Sequence, residues 1–300
     1  MATRRTSKQR KRQQGGSSRT AVGGLIAVLL VIATGIAVAA LVVSRAPGEA
    51  IPWARLDTED VHSLAFAGDG TDRILFGHHG GLLASTDGGR TWGALPLGDD
   101  AMSTATGSDG SIVIAGHDVF RASRDGGATW TSIATDLPSL DIHGFARDPA
   151  DPARMWAYPV TGGLWESTDG GATFIQVRSD NVLLPTAISA GATTRLFGID
   201  TTGLIESLDG GRTWSSLAMP PTFPMTSFAA SADGRVLYAG AQDGLYRSED
   251  GGRSWSATTY TGSVFALATS PDGRTVILVD RSTDVYRSDD DGATWPAPGP

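Results

Sequence analysis

The chain has 300 residues and no cysteine, so it can form neither a disulfide nor a lipid-modified thiol. An exported domain of this kind is held together by its core alone. Lysine is nearly absent: from Ile51 onward, 16 arginines are the only strong bases against 31 acidic residues, a formal charge of −15. A surface of that sign repels nucleic acid and anionic lipid headgroups. We therefore expect no nucleic-acid partner.

Acidic residues are missing before Glu49, where the chain carries eight basic residues. Seven of these lie within residues 1–20, and an uncharged run follows at residues 21–43. As a helix this run would be about 34 Å long, enough for a hydrocarbon core of about 30 Å. Under the positive-inside rule the basic end stays in the cytoplasm.

These features predict a basic cytoplasmic tail at 1–20, a transmembrane signal anchor at 21–43, a linker at 44–50 and an extracytoplasmic domain at 51–300. The expected location is the cell membrane, crossed once, with the tail against anionic inner-leaflet lipid. The alternative is a cleaved signal peptide, because Ala37–Ala39 has the small-x-small form of a processing site.

One eight-residue phrase with the pattern S-x-D-x-G-x-[ST]-[WF] occurs six times, at intervals of 38 to 44 residues. Its aspartates are Asp87, Asp125, Asp169, Asp209, Asp250 and Asp290. A period of about 40 residues is typical of arrays of four-stranded units, as in a β-propeller. Residues 51–300 have room for six such units, so we predict an all-β, six-bladed propeller.

Each repeat contains the same four predicted strands. The first ends in an Asp-Gly turn, which favours a hairpin. The third leads into the octapeptide and the fourth leaves it, as at Trp92–Leu97, so the octapeptide is predicted to be the turn between them. Its serine and aspartate can bond to the local backbone, its glycines adopt positive φ, and its aromatic residue packs on the neighbouring hairpin. We therefore assign the six aspartates a structural role.

The ends of the chain are predicted to close the ring within one blade. After the last octapeptide only Pro296–Pro300 remain, and prolines cannot donate ladder hydrogen bonds. The segment Trp53–Leu56 is similar to the segment that follows each octapeptide. It is therefore predicted to be the outer strand of the sixth blade.

With these octapeptides the chain resembles the BNR or Asp-box repeat family, and the resemblance covers residues 51–300. It implies a β-propeller with Asp-box turns. The family includes sialidases and other glycoside hydrolases, sortilin-type receptors and photosystem assembly factors, so the fold does not decide the function.

A sialidase-like site would require three converging arginines, a tyrosine nucleophile with a glutamate partner, and an acid/base carboxylate, as the resemblance implies. Twelve of the sixteen arginines recur in or beside octapeptides or at the start of second strands. The four others are Arg55, Arg147, Arg178 and Arg281. The phrase Phe-Arg-Ile-Pro is missing from the sequence. We therefore favour a protein that is not an enzyme, with a sialidase-like or other exo-acting glycoside hydrolase as the alternative.

Histidines and acidic residues are predicted to gather on the face opposite the octapeptides, around blades one to three. The candidate ligand-binding residues are His62, His79, His117, His143, Asp60, Asp118 and Asp141. The four histidines could bind a transition metal such as Cu or Zn. Alternatively they line a wet channel, because duplicated repeats inherit the same residue. No other cofactor is expected.

The sequence thus predicts a membrane-anchored, monomeric binding or scaffold module. Its expected partner is an envelope protein, a glycan or a small ligand.

Overall fold

The structure, a computed structural model, describes residues 49–68, 70–190, 193–222 and 224–299. In this part of the chain 24 strands form six four-stranded antiparallel sheets, the blades of a β-propeller. None of the described residues forms a helix long and apolar enough to span a bilayer. The predicted anchor, residues 21–43, and the tail, residues 1–20, lie outside the described residues.

Strands are numbered in chain order. The innermost strands are β2 (Ser63–Phe66), β6 (Ser103–Thr106), β10 (Ile142–Arg147), β14 (Leu183–Ala190), β18 (Ser227–Ala230) and β22 (Ala266–Thr269). The second strands are β3 (Ile74–His78), β7 (Ile112–Gly116), β11 (Met155–Pro159), β15 (Thr193–Asp200), β19 (Leu237–Ala241) and β23 (Val276–Val279). The third strands are β4 (Gly81–Ser85), β8 (Val119–Ser123), β12 (Leu164–Ser167), β16 (Gly203–Ser207), β20 (Gly244–Ser248) and β24 (Asp284–Ser288). The outer strands are β5 (Gly93–Ala94), β9 (Thr131–Ser132), β13 (Ile175–Arg178), β17 (Ser215–Ser216), β21 (Ser256–Ala257) and β1 (Ala54–Arg55).

The core lies between blades. The second strands are apolar and buried without alternation, as in β7 and β23. Such runs are expected where both faces of a sheet are covered. Between blades six and one, for example, Ile277 and Val285 pack with Ile74 and Phe76. The octapeptide aromatics pack at the edges of these interfaces, as Trp92 does here.

Ring closure follows the sequence prediction. Strand β1 pairs with β24 and completes the sixth blade, whose other strands come from the C-terminal end. The Trp53 N–H donates to the Val285 carbonyl at 2.7 Å, and the Leu56 N–H donates to the Thr283 carbonyl at 3.0 Å. The two ends of the propeller are therefore joined by a backbone ladder.

The outer strands are shorter than predicted. The segment Trp92–Leu97 contains only the two-residue strand β5, and β9 and β17 are equally short. An outer strand has a partner on one side only, and its residues are exposed to water on the other. Pro96 in addition cannot donate a ladder hydrogen bond. Pairing therefore ends soon after each octapeptide.

Each octapeptide begins at the last residue of a third strand and turns the chain toward the outer strand. In the first copy Ser85 Oγ donates to Asp87 Oδ1 at 2.8 Å and accepts the Gly89 N–H at 2.9 Å. The Thr91 N–H and hydroxyl donate to the two oxygens of Asp87 at 2.9 and 2.5 Å. These four hydrogen bonds recur in the other five copies.

The hydrogen bonds from Thr91, above all from its side chain, lower the pKa of Asp87 to about 2. The equivalent bonds hold the pKa of Asp125, Asp169 and Asp250 at the same value. These carboxylates are therefore ionised at neutral pH, and their oxygens already accept hydrogen bonds within the turn.

Candidate functional site: a row of histidines and aspartates

Four histidines lie on the face of the propeller where first strands begin and second strands turn into third strands. His62 directly precedes β2, and His143 is the second residue of β10. His79 lies in the turn between β3 and β4, and His117 lies in the equivalent turn between β7 and β8. In each blade the octapeptide lies at the opposite end of the third strand, so this face is free of these turns.

The four imidazole rings form a continuous row across blades one to three. The rings of His62 and His79 meet edge to face, with centroids 4.3 Å apart. His79 stacks on His117 at 5.6 Å with an angle of 6° between the ring planes. His117 then meets His143 edge to face at 5.4 Å.

An aspartate accompanies each step of this row. The Asp60 carboxylate accepts hydrogen bonds from the His79 N–H, at 2.9 Å, and from the ring Nδ1 of His79. Asp100 repeats this arrangement in blade two, where its Oδ2 lies 3.1 Å from the His117 N–H and 2.6 Å from His117 Nδ1.

Asp141 completes the row in blade three. Its Oδ1 accepts a hydrogen bond from His143 Nε2 at 2.9 Å and lies 3.6 Å from His117 Nε2. We call the four histidines together with Asp60, Asp100 and Asp141 the histidine row.

Asp118, one of the residues chosen from the sequence, is not among the carboxylates that hold a ring nitrogen. It occupies the exposed turn next to His117, with a φ of 58°. In blade two the carboxylate that holds a ring nitrogen is Asp100, which the sequence analysis does not predict. The repeat period could have indicated this residue, because Asp60, Asp100 and Asp141 are 40 and 41 residues apart.

The surroundings of the row change the protonation of its members. The hydrogen bond to Asp60 raises the pKa of His79, whereas burial lowers the pKa of His62. Burial opposes ionisation of Asp60, but the hydrogen bonds from His79 outweigh it and lower the pKa of this carboxyl group. At neutral pH the blade-one end of the row therefore combines an ionised carboxylate with a neutral His62.

The fifth histidine, His78, stands beside the row without joining it. Its ring stacks near Phe76, with centroids 6.0 Å apart, and its Nδ1 accepts the Gly80 N–H at 3.1 Å. Burial lowers the pKa of His78. His78 is therefore a histidine of the same face that does not belong to the row, and it can be compared with the row histidines in experiments.

Three of the four arginines left unassigned by sequence position, Arg55, Arg147 and Arg178, do not converge on a carboxylate-binding site. Arg55 forms a bidentate pair with Asp284 across the ring closure, at 2.7 and 2.8 Å. Arg178 pairs with Asp200 at 2.6 Å, and the buried Arg147 donates to Ser111 Oγ at 2.7 Å. Three of the four candidates therefore have partners in different blades.

The central channel contains a cavity of about 470 Å³ lined by residues of all six innermost strands. Its walls are largely apolar, with Leu64, Phe145, Phe228 and Leu267 among the lining side chains. The described lining residues include no Asp or Glu, and Arg147 is their one ionisable group. A second cavity, of about 900 Å³, lies between blades two and three and includes the octapeptide residues Asp125 and Asp169.

No protein-family model matches the chain, and no curated protein matches it. Among solved structures, the chain is similar to the GH74 xyloglucanase from Xanthomonas campestris, with 24% identity, a TM-score of 0.52, and coverage of 76% of this chain and 37% of that chain. A GH74 enzyme from Niastella koreensis is 17% identical, with a TM-score of 0.53 and coverage of 78% and 46%.

The chain is also similar to YCF48 from Cyanidioschyzon merolae, with 18% identity, a TM-score of 0.54, and coverage of 82% of this chain and 88% of that chain. A structure of YCF48 bound to D1 peptide is 17% identical, with a TM-score of 0.52 and coverage of 82% and 98%. The likeness shows the fold alone. This chain spans less than half of each GH74 chain but nearly all of each YCF48 chain.

Proposed function

We propose that this protein is a membrane-anchored, extracytoplasmic β-propeller that acts as a binding or scaffold module at the cell envelope. The observation that carries the proposal is the histidine row, which presents polar groups from three blades on one face. The anchor is inferred from the basic residues within 1–20 and the uncharged run at 21–43. The octapeptides are, in this proposal, the Asp-box turns of a BNR-type propeller.

The proposed partner is a protein segment or peptide that carries positive charge. The three aspartates of the row form ion pairs with histidine only, among the described residues. The chain from Ile51 onward has a formal charge of −15, which attracts a basic partner and repels an acidic one. A bound peptide in one of the YCF48 structures gives a precedent for a peptide partner on a similar fold.

The glycoside hydrolase alternative has less support. Most such enzymes need two carboxyl groups about 5 to 9.5 Å apart, one of which keeps a proton to donate. The described lining of the channel cavity supplies no carboxyl group. The second cavity is lined by Asp109, Asp125 and Asp169. Turn hydrogen bonds lower the pKa of Asp125 and Asp169 to about 2, and the hydrogen bond from Ser111 lowers the pKa of Asp109. None of the three can act as a general acid at neutral pH.

The test compares two double substitutions that change the charge equally on opposite faces. Basic peptides are selected against the full chain by phage display, and affinities are measured by fluorescence polarisation. We expect Asp60→Asn with Asp141→Asn to weaken binding by about tenfold or more, because charge pairs at the contact are lost. The control, Asp233→Asn with Asp272→Asn, alters exposed turns between first and second strands and should leave affinity unchanged.

Two outcomes contradict the proposal. One is an equal loss of affinity in both double variants, which would show that binding depends on the net charge of the chain and not on the histidine row. The other is turnover of chromogenic glycosides or xyloglucan oligosaccharides by the purified chain, which would favour the hydrolase.

A further inference from the structure

We propose that His79, Asp100 and His117 bind one divalent transition metal ion, such as Zn²⁺ or Cu²⁺, at the boundary of blades one and two. Each of the three residues offers one ligand atom, and these atoms lie within 4.8 Å of one another. Imidazole nitrogen and carboxylate oxygen are ligands of both metals in proteins. This inference goes beyond the proposed function and does not depend on it.

The first argument is an unsatisfied oxygen at the centre of the row. Asp100 is only 9% exposed, and its Oδ1 has no hydrogen-bond partner among the described residues. Its other oxygen, Oδ2, is the one that holds the backbone and ring of His117. A buried carboxylate oxygen without a partner is costly. A cation bound between His79 and His117 would satisfy it.

The second argument is the orientation of His79 by a second carboxylate. Asp60 holds the backbone N–H and the Nδ1 of His79, whereas Nε2 of that ring has no hydrogen bond within the described part of the chain. Metal-binding histidines commonly donate one ring N–H to a carboxylate and bind the ion through the other nitrogen. Asp60 therefore acts as the positioning residue for His79, on the side of the ring away from the proposed ion.

The third argument is charge. Three aspartates lie along the row, and their ion-pair partners among the described residues are all histidines. A bound dication would balance the charge of Asp100, whose only ion-pair partner among the described residues is His117.

The chain is well suited to a test because it has no cysteine and only five histidines. The full chain is purified without a histidine tag, treated with a chelator, and titrated with Zn²⁺ by calorimetry in the absence of any partner. Elemental analysis gives the stoichiometry. We expect one Zn²⁺ per chain.

Two pairs of variants separate the site from its surroundings. Asp100→Asn and His117→Gln remove ligands and should weaken Zn²⁺ binding by at least tenfold. Asp118→Asn and His78→Gln are matched controls outside the proposed ligand set. Asp118→Asn removes a carboxylate next to His117 in the chain, and His78→Gln removes an imidazole next to His79. Both controls should bind like the unmodified chain.

A measurement on the unmodified chain keeps the proposal testable if a ligand variant fails to fold. Diethylpyrocarbonate modification, followed by mass spectrometry, reports the reactivity of each histidine with and without Zn²⁺. Protection of His79 and His117, with His78 unchanged, is the expected pattern. The proposal is overturned if the unmodified chain binds no Zn²⁺, if ligand and control variants bind equally, or if Zn²⁺ protects neither ring.

Discussion

Deleting residues 51–56 removes strand β1 and leaves β24 without its outer partner. The deletion eliminates three backbone hydrogen bonds, donated by Ile51 to Trp295 at 3.1 Å, by Trp53 to Val285 at 2.7 Å and by Leu56 to Thr283 at 3.0 Å. At about 0.5–1.5 kcal/mol net for each bond, the loss is about 1.5–4.5 kcal/mol. Exposure of Val285, which is fully buried, adds about 1.5–3 kcal/mol.

A domain of this size loses roughly 2–4 °C in melting temperature for each kcal/mol. We therefore expect a decrease of about 6 °C or more, measured by differential scanning calorimetry of the full chain and of the deletion variant. The control is a deletion of equal length within the tail, residues 2–7, which should leave the melting temperature unchanged. A decrease of less than about 2 °C for the 51–56 deletion would refute the closure argument.

Three further predictions concern the octapeptides, the site and the anchor. Because the native pKa of Asp87 is about 2 against 3.8 for the free group, its ionised form stabilises the fold above pH 3.8. This contribution is lost as the pH falls toward 2, so in urea titrations between pH 4 and 2, Asp87→Asn should lose less stability than the unmodified chain; equal losses would contradict this. Gly116→Ala should destabilise the chain by about 1–3 kcal/mol, because an added Cβ would lie 2.7 Å from the Asp100 carbonyl oxygen. In contrast, Gly93→Ala, where nothing lies within 4 Å, should have little effect on the denaturation midpoint. Since the chain has no cysteine, Ser179→Cys should be labelled in intact cells by an impermeant maleimide and Ser17→Cys should not; the reverse pattern would refute the predicted orientation.

Most of the fold could be predicted because it depends on a repeated local pattern. The spacing of the octapeptides gave the number of blades, and the Asp-Gly turns separated first from second strands. Closure was predictable because Trp53–Leu56 is similar to the segment after each octapeptide. The length of the outer strands could not be predicted, because pairing at the edge of a sheet depends on the partner strand and on solvent rather than on the segment's own sequence.

The site was predictable only in part. Equivalent positions in successive repeats brought the four histidines to one face. Asp118 is expected among the carboxylates that blades one to three gather on this face, but it does not hold a ring nitrogen of the row, because adjacent residues in a turn point in different directions. Asp100 lies 17 residues before His117 and reaches it across the blade, so only the repeat period could have indicated it.

Ring closure also has a consequence for synthesis of the protein. Arg55 and Asp284, which pair across the closure, are 229 residues apart. At about 5–20 residues per second, β1 waits roughly 10–45 s for its partner strand to be made. During that interval the sixth blade is incomplete, and β1 is an unpaired donor strand. A chain that stops before β22 keeps β1 but lacks β24, so β1 stays unpaired and its backbone groups are exposed to pairing with other chains.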